Sequence, residues 1–388
     1  MSVKNFRNVL VGDVGAKALT AVFVLLSIRV LSPAEFAAYV YLSALIVLSV
    51  TTLNGFFNRH FIMASANALL ARSYWLLQVA SSLLIFGCAM LLLGRDVAPA
   101  AMLAGFFCVA CASSFDFRRT YAQKTQAFRA YVVGDIVRAF FLLTLSGPIL
   151  LWWKEQAIPA LFATQGVAFL VGSSLLPSLP RSISKKVDVR SIIVGRHSIA
   201  LLIYFVLVGF FGQLPVLILR QVADDNAVAT FGSAFRYYGL ALAIVIAANV
   251  VVLPRIAAST NLRATLTSLV PLLLVAILFL SVAASAGYLI IPLIDEGKYP
   301  DAPMLFAILC AGLVPGILLA PMTAVFLRLE SYHHLIASQL ASIVVCAALG
   351  FCYFKWGTLA SAIGLSSGVA VQLLWLLFAA GGAAVRSK

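Results

Sequence analysis

The sequence contains twelve apolar segments of 18 to 26 residues, and this pattern constrains the fold more than any other feature. A helix needs roughly 20 apolar residues to cross the hydrocarbon core of a bilayer, where it satisfies its own backbone hydrogen bonds. With 63% hydrophobic and 10% charged residues, a water-soluble fold would lack polar surface. We therefore predict an all-α, polytopic membrane protein with about twelve transmembrane helices. The predicted spans are Val9–Leu31, Phe36–Phe57, Tyr74–Leu93, Ala100–Phe117, Tyr131–Trp152, Ile158–Leu176, Ser198–Leu219, Val228–Leu253, Leu266–Ile291, Ala302–Phe326, Leu335–Phe354 and Thr358–Ala380.

The longest polar stretch between two spans separates the first six spans from the last six. We predict an N-terminal six-helix lobe over residues 1–180, a cytoplasmic linker over residues 181–197 and a C-terminal six-helix lobe over residues 198–388. The segment RVLSPAEFAAY (Arg29–Tyr39) is similar to RQVADDNAVATF (Arg220–Phe231), at the equivalent place in the second half. This similarity favours two repeats that enter the membrane in the same direction.

The basic residues are distributed unevenly between the two sides of the membrane. With the N-terminus inside, 18 of the 27 Lys and Arg lie on the cytoplasmic side, 5 on the outer side and 4 within spans. Short cytoplasmic loops accumulate positive charge, so we predict that both termini are cytoplasmic. The net charge of +14 mostly reflects this topology. We expect no nucleic-acid partner, because the basic residues do not form one face.

Ionisable residues within spans are costly in hydrocarbon, so we expect most of them to face the bundle interior or water. The candidates are Asp13, Lys17 and Arg29 in the first span, Asp135 and Arg138 in the fifth, and Arg236 in the eighth. As an alternative, the Asp13–Lys17 and Asp135–Arg138 spacings also suit ion pairs within one helix, and Arg29 can extend to the interface. Arg236 has no acid within one turn of its own helix.

With four cations against two acids, a cavity lined by these residues would favour an anionic group such as phosphate. Arg binds phosphate in a bidentate manner, and Lys binds it as a point charge. Asp13 and Asp135 would tune these cations or accept a coupled proton. Uncharged polar side chains within spans could bind sugars or join helices. These are Asn54, Gln165, Gln213, Asn249, Gln339 and Gln372.

Several sequence patterns bear on catalysis and on helix packing. The sequence has no GxxxxGK[ST] or HExxH motif, and its six Cys all lie in apolar segments. We expect a transporter and not an enzyme, without metal or cofactor, driven by protons, sodium or the membrane potential. The GxxxG formed by Gly364 and Gly368 predicts close helix packing.

Three stretches resemble the Wzx-type polysaccharide flippases of the multidrug/oligosaccharidyl-lipid/polysaccharide (MOP) exporter superfamily. They are SIRVLSPAEFAAYVYLSAL (Ser27–Leu45), ADDNAVATFGSAFRYYGLALAIVIAANVVVLPRIA (Ala223–Ala257) and EGKYPDAPMLFAIL (Glu296–Leu309). Ala37 and Ala229 stand where that family usually has Gly, and the chain lacks the two additional spans of lipid II flippases. The resemblance implies a MATE-like fold, in which two lobes surround a central cavity that opens alternately to each side.

The resemblance also implies a cargo, an undecaprenyl-diphosphate-linked oligosaccharide moved to the outer leaflet of the bacterial inner membrane. Such a flippase would serve O-antigen, capsule or exopolysaccharide biosynthesis, among membrane lipids and beside the polymerase machinery. On this hypothesis Lys17, Arg138, Arg236 and Arg29 bind the diphosphate or acidic sugars. Two alternatives remain: an ion-coupled multidrug or cation exporter of the same superfamily, and a polytopic glycan polymerase or ligase.

Overall fold

The computed structural model describes residues 3–63, 70–94, 97–152, 157–180, 196–258 and 262–386. Within these ranges, the side chains of residues 3–11, 13, 63, 196–197, 243–258, 262–272 and 382–386 are outside the description. The described backbone contains twelve long helices, one short helix and no strand. The helices are α1 (Val3–Val30), α2 (Pro33–Met63), α3 (Ala71–Leu93), α4 (Pro99–Lys124), α5 (Phe128–Trp152), α6 (Ala157–Ser174), α7 (Arg196–Val222), α8 (Asp225–Ala258), α9 (Leu262–Ile294), α10 (Ala302–Arg328), α11 (Tyr332–Gly350), α12 (Tyr353–Trp356) and α13 (Leu359–Arg386).

The twelve long helices correspond one to one to the predicted spans, which confirms the all-α polytopic fold. Among the described residues, ten of them contain a segment long and apolar enough to cross a membrane. The other two, α1 and α8, include side chains outside the description. Large apolar side chains lie on the surface, such as Leu91 at 83% and Phe378 at 86% exposure. Such a surface suits lipid and not water.

The chain divides into two compact units, residues 1–210 and 211–388, with the boundary inside α7. In the first unit, α4 packs against α2, α3 and α6, and α5 packs against α6. In the second unit, α10 packs against α8, α9 and α13, and α11 packs against α13. The helix neighbours of one unit thus recur in the other, which confirms the predicted repeat. Residues 181–195 of the predicted linker lie outside the described residues, so the predicted lobe boundaries stay predictions.

The two similar sequence segments mark equivalent helix N-termini. At the start of α2, Glu35 Oε2 accepts a hydrogen bond from Ser32 N at 2.8 Å, and Ser32 Oγ accepts one from Glu35 N at 3.4 Å. This reciprocal pair is a capping box. At the start of α8, Asp224 Oδ1 accepts a hydrogen bond from Ala227 N at 2.8 Å. The sequence similarity therefore reflects side chains that begin the second helix of each repeat.

Small residues bring α13 close to α11 in the second unit. A Cβ atom on Gly364 would lie 2.9 Å from the carbonyl oxygen of Cys346, and one on Gly368 would lie 3.0 Å from that of Ser342. Ser342 Oγ also donates a hydrogen bond to the Gly368 carbonyl at 2.9 Å. The close packing predicted from the GxxxG pattern is therefore confirmed.

Candidate functional site

A cluster of arginines and one aspartate lies between α4 and α5 in the first unit. Asp135 is 3% exposed; its Oδ2 lies 2.6 Å from Arg119 Nη2, and its Oδ1 lies 3.3 Å from Arg138 Nε. The Arg119 guanidinium lies over the Tyr131 ring, and the Arg138 guanidinium lies over the Phe169 ring of α6. Asp135 therefore pairs with Arg138 on its own helix, as the spacing allowed, and also with a second arginine from α4.

Among the described side chains, this cluster carries more positive than negative charge. Arg119 and Arg138 share one carboxylate, and the neighbouring Arg118 donates hydrogen bonds to the carbonyls of Leu176 and Pro177, both at 3.3 Å, just beyond α6. The aspartate side chain is 5% exposed, whereas those of Arg119 and Arg138 are 25% and 16% exposed. The excess of cations favours an anionic group near this part of the unit.

A cavity of about 330 Å³ opens beside Arg118. Its lining residues are Arg72, Trp75, Ser114, Arg118, Leu179 and Pro180. The indole nitrogen of Trp75 donates a hydrogen bond to Ser114 Oγ at 2.9 Å, which joins α3 to α4 at the cavity wall. Two arginines and a hydroxyl give this cavity the same preference for anions as the neighbouring cluster.

A second polar cluster joins α2, α3 and α4 around Asp116. Asp116 Oδ2 accepts hydrogen bonds from the side-chain amides of Asn58 at 2.7 Å, Asn54 at 3.0 Å and Gln78 at 3.2 Å. Asn54 and Gln78 are 2% and 0% exposed. Within the described part of the chain, this carboxylate is held by neutral donors and forms no ion pair. Such a group can interact with a cation that is not part of the protein.

Asp116 is not among the residues predicted from the sequence, although it lies inside the predicted span Ala100–Phe117. The list of six ionisable residues within the predicted spans is therefore one short, and it holds four cations against three acids once Asp116 is added. A signal was present in the polar side chains of neighbouring spans, which recur at helical spacing. The pairs are Asn54 and Asn58, Gln78 and Ser82, and Ser113 and Asp116.

A third cluster lies in the second unit, directly after α9. Asp295 is 1% exposed and accepts hydrogen bonds from Ser233 Oγ at 2.6 Å and Tyr237 OH at 2.5 Å, both on α8. Burial raises the pKa of the Asp295 carboxyl, while the two hydroxyls and the nearby Lys298 oppose that rise. No feature of the sequence singled out Asp295, because its partners lie about 60 residues away along the chain.

The remaining charged candidates are divided between the two units. Lys17 on α1 is half-buried, and Arg29 is exposed at the end of α1. Arg236 on α8 and Gln213 on α7 are half-buried and belong to the second unit. Lys17, Arg29 and Arg236 each have an interaction partner. The grouping of these cations with Arg138 in one cavity stays a prediction, because each unit is described by itself.

The uncharged polar residues predicted within spans occupy different environments in the structure. Gln339 is 2% exposed, and its Oε1 accepts a hydrogen bond from Gln372 Nε2 at 2.7 Å, which joins α11 to α13. Asn54 belongs to the Asp116 cluster. The side chains of Asp13 and Asn249 lie outside the described residues. Helix joining, one of the two predicted roles, is therefore observed for the two glutamines.

Comparison with known proteins shows the likeness at the level of fold. No family model and no curated protein sequence matches the chain. Its structure is similar to that of the lipid II flippase MurJ in an inward closed conformation, with a TM-score of 0.72 and 11% identity over 98% of this chain and 88% of that one. A MOP superfamily transporter from Pyrococcus furiosus gives a TM-score of 0.64 and 14% identity, over 97% and 95% of the two chains.

An outward-facing MATE transporter of the same superfamily gives a TM-score of 0.64 and 15% identity, over 99% of this chain and 97% of that one. At such low identity the likeness establishes the fold alone. The chain therefore has the MATE-like fold of MOP superfamily transporters and is a multi-pass membrane protein. Its structural neighbours are transporters and flippases.

Proposed function

We propose that this chain is a flippase that moves an undecaprenyl-diphosphate-linked oligosaccharide to the outer leaflet of the bacterial inner membrane by alternating access. Both termini face the cytoplasm, and the product serves O-antigen, capsule or exopolysaccharide biosynthesis, in cooperation with polymerase machinery. The observation that carries the proposal is the cluster of described side chains in which two arginines, Arg119 and Arg138, contact one carboxylate, that of Asp135. This excess of cations suits a diphosphate, and the fold is shared with a lipid II flippase.

In this proposal the cations of both units contact the diphosphate or acidic sugars during transport. Lys17, Arg138, Arg236 and Arg29 supply the positive charge, and Asp135 orients the Arg138 guanidinium. An anion that moves outward across a potential negative inside gains about 2.3 kcal/mol per charge per 100 mV. Two phosphate charges therefore provide a driving force without a nucleotide motor.

The experiment is a translocation assay in proteoliposomes that contain a fluorescent lipid-linked oligosaccharide. The fraction of the headgroup accessible to an impermeant reagent is followed over time, with and without a potassium diffusion potential. Arg138→Ala and Arg236→Ala should each slow translocation about tenfold or more, because each removes a charge-assisted contact to phosphate. Arg328→Ala is the matched control, since Arg328 is exposed in the last turn of α10.

Two outcomes decide the proposal. If wild-type protein does not accelerate translocation over empty liposomes, the function is wrong. If Arg236→Ala is as fast as wild type, that residue does not bind the cargo. The mass of the recovered lipid must also stay unchanged, since a polymerase or ligase would alter it.

A cation exporter is the second candidate, and one observation favours it. Asp116 accepts hydrogen bonds only from neutral side chains, so the described residues contain a carboxylate able to attract a cationic group. Extrusion of a cationic dye by the same proteoliposomes, with no movement of the lipid-linked oligosaccharide, would support this candidate.

A further inference from the structure

The cavity beside Arg118 lies at one end of the first unit. It is lined by residues where α3 begins, where α4 ends and where the chain has left α6. The distribution of basic residues predicts that this end is the cytoplasmic one. Trp75 lies in the cavity wall, and Trp is typical of the level at which a membrane meets water. On this topology, a ligand enters the cavity from the cytoplasmic leaflet or from the cytoplasm.

Arg118 is held at the cavity wall with donors to spare. Its Nη2 donates to the carbonyls of Leu176 and Pro177, both at 3.3 Å, which fixes the half-buried guanidinium against the end of α6. The described residues offer no acceptor to its Nη1 group, and its buried Nε has no hydrogen-bond partner among them either. Because a guanidinium has five N–H donors, Arg118 retains donors for a ligand.

Ser114 adds a hydroxyl donor to the same cavity. Its Oγ accepts the hydrogen bond from the Trp75 indole at 2.9 Å and donates to no described residue. The hydroxyl hydrogen is therefore available for an acceptor in the cavity. Oxygen atoms of a phosphate group accept hydrogen bonds from both guanidiniums and hydroxyls.

The charges of the cavity select the kind of headgroup. The described lining residues include two cations, Arg72 and Arg118, and no acid. A zwitterionic headgroup would bring an ammonium group beside two arginines, with no carboxylate in the lining to receive it. A volume of about 330 Å³ is at the small end of the range for ligand sites, about 300–1,000 Å³, and suits a headgroup and not a whole lipid. The cavity therefore favours a small headgroup with a net negative charge.

An exposed apolar face of α3 begins one turn from Arg72. Leu76, Ala80, Leu84 and Cys88 follow Arg72 at intervals of four residues, and all four are exposed. Leu76 is 46% and Leu84 is 69% exposed. Residues four apart share one face of a helix, so the arginine lies at the end of a stripe that acyl chains can cover. This arrangement favours a phosphate that carries acyl chains over a free phosphate.

We propose that Arg72, Arg118 and Ser114 bind the phosphate of an anionic phospholipid of the cytoplasmic leaflet, whose acyl chains lie along α3. Basic pockets between helices on this side of a membrane are suited to such headgroups. The site goes beyond the proposed function, because it concerns a lipid that stays with the protein and not the transported cargo. Its test needs no transport measurement, so its failure leaves the flippase proposal untouched.

The test is thermal unfolding of the purified protein in detergent, with dioleoyl phosphatidylglycerol added at increasing mole fraction. A ligand that binds only the folded state raises the unfolding temperature, so wild type should show a saturable rise. Dioleoyl phosphatidylcholine, with the same acyl chains, should give little or none. Glycerol phosphate without acyl chains forms the third arm, and it should need a concentration more than tenfold higher for the same rise.

Arg72→Ala and Arg118→Ala should each require about tenfold more phosphatidylglycerol for the wild-type rise, because each removes a charge-assisted contact to phosphate. If Arg118→Ala does not fold, Arg72→Ala carries the same expectation. Arg129→Ala is the matched control, since Arg129 is an exposed arginine in the first turn of α5, at the same end of the unit. This variant should keep the full response.

Three results would overturn the proposal. An equal rise with phosphatidylcholine would show that the headgroup charge is not recognised. A response to glycerol phosphate as strong as that to the lipid would assign the cavity to a free anion. Equal weakening by Arg72→Ala and Arg129→Ala would show that the lipid is attracted by the overall charge of this end of the unit and not by the cavity.

Discussion

Arg119 on α4 and Asp135 on α5 form an ion pair between neighbouring helices, with 2.6 Å between Nη2 and Oδ2. The carboxylate side chain is 5% exposed and also contacts Arg138, so one buried acid holds two guanidiniums. An acid in this position stabilises the packing of α4 and α5 and keeps both arginines oriented. Its loss would remove the carboxylate that both guanidiniums contact.

Asp135→Asn should therefore lower the free energy of unfolding by about 3 kcal/mol, the usual cost of breaking a buried ion pair from one side. Chemical denaturation of the purified wild type and variant measures this difference in the free energy of unfolding. The control is Asp225→Asn, whose acid pairs with Arg220 but has a 49% exposed side chain. We expect a change below about 1 kcal/mol there. Equal effects of the two substitutions would contradict the assigned role of Asp135.

The hydrogen bond between Gln339 and Gln372 predicts a non-additive double substitution. Gln372→Leu should destabilise the protein by about 1 kcal/mol, because it leaves the buried Gln339 amide without its partner. Gln339→Leu combined with Gln372→Leu removes both polar groups and should restore stability close to wild type. Unfolding of the two single variants and the double variant completes the cycle. Strictly additive losses would show that the two amides are not coupled.

The contact of Gly364 with α11 predicts that an added methyl group is not tolerated there. Gly364→Ala would place Cβ 2.9 Å from the Cys346 carbonyl and should destabilise the protein by about 1–3 kcal/mol. Gly381→Ala on the same helix meets nothing within 4 Å. This control should be neutral or stabilising by up to about 1 kcal/mol, because Ala favours the helix. The order of the two unfolding temperatures checks the prediction.

The raised pKa of Asp295 predicts how stability depends on pH. The folded protein binds this proton more tightly than the unfolded chain does. The resulting stability is fully present below the ordinary carboxyl pKa of about 4 and is lost as pH rises through the raised value. Asp295→Asn stays neutral, so its stability relative to wild type should increase between about pH 4 and pH 8. If the difference in stability between Asp295→Asn and wild type does not change over this pH range, the pKa of Asp295 is not raised in the folded protein.

The spans could be predicted from the sequence because lipid imposes a local requirement on each helix separately. The GxxxG of α13 and the similarity between the segments Arg29–Tyr39 and Arg220–Phe231 were likewise readable, since each pattern lies within a few residues, but the capping roles of Ser32 and Asp224 emerged only from the structure. The Asp135–Arg138 spacing allowed the intrahelical pair. Arg119 could not be foreseen as a second partner, because it comes from another helix and depends on how α4 and α5 are rotated against each other.

The sequence by itself determined the class of the protein, the number of long helices, their places in the chain and the repeat, because these follow from hydropathy and local helix signals. Tertiary packing decided which polar groups meet. Asp116 gains three amide donors only when α2, α3 and α4 pack together, and Asp295 gains its hydroxyl partners only when the chain after α9 lies against α8. These contacts depend on the rotation and depth of each helix, which its neighbours set and its own residues do not encode alone.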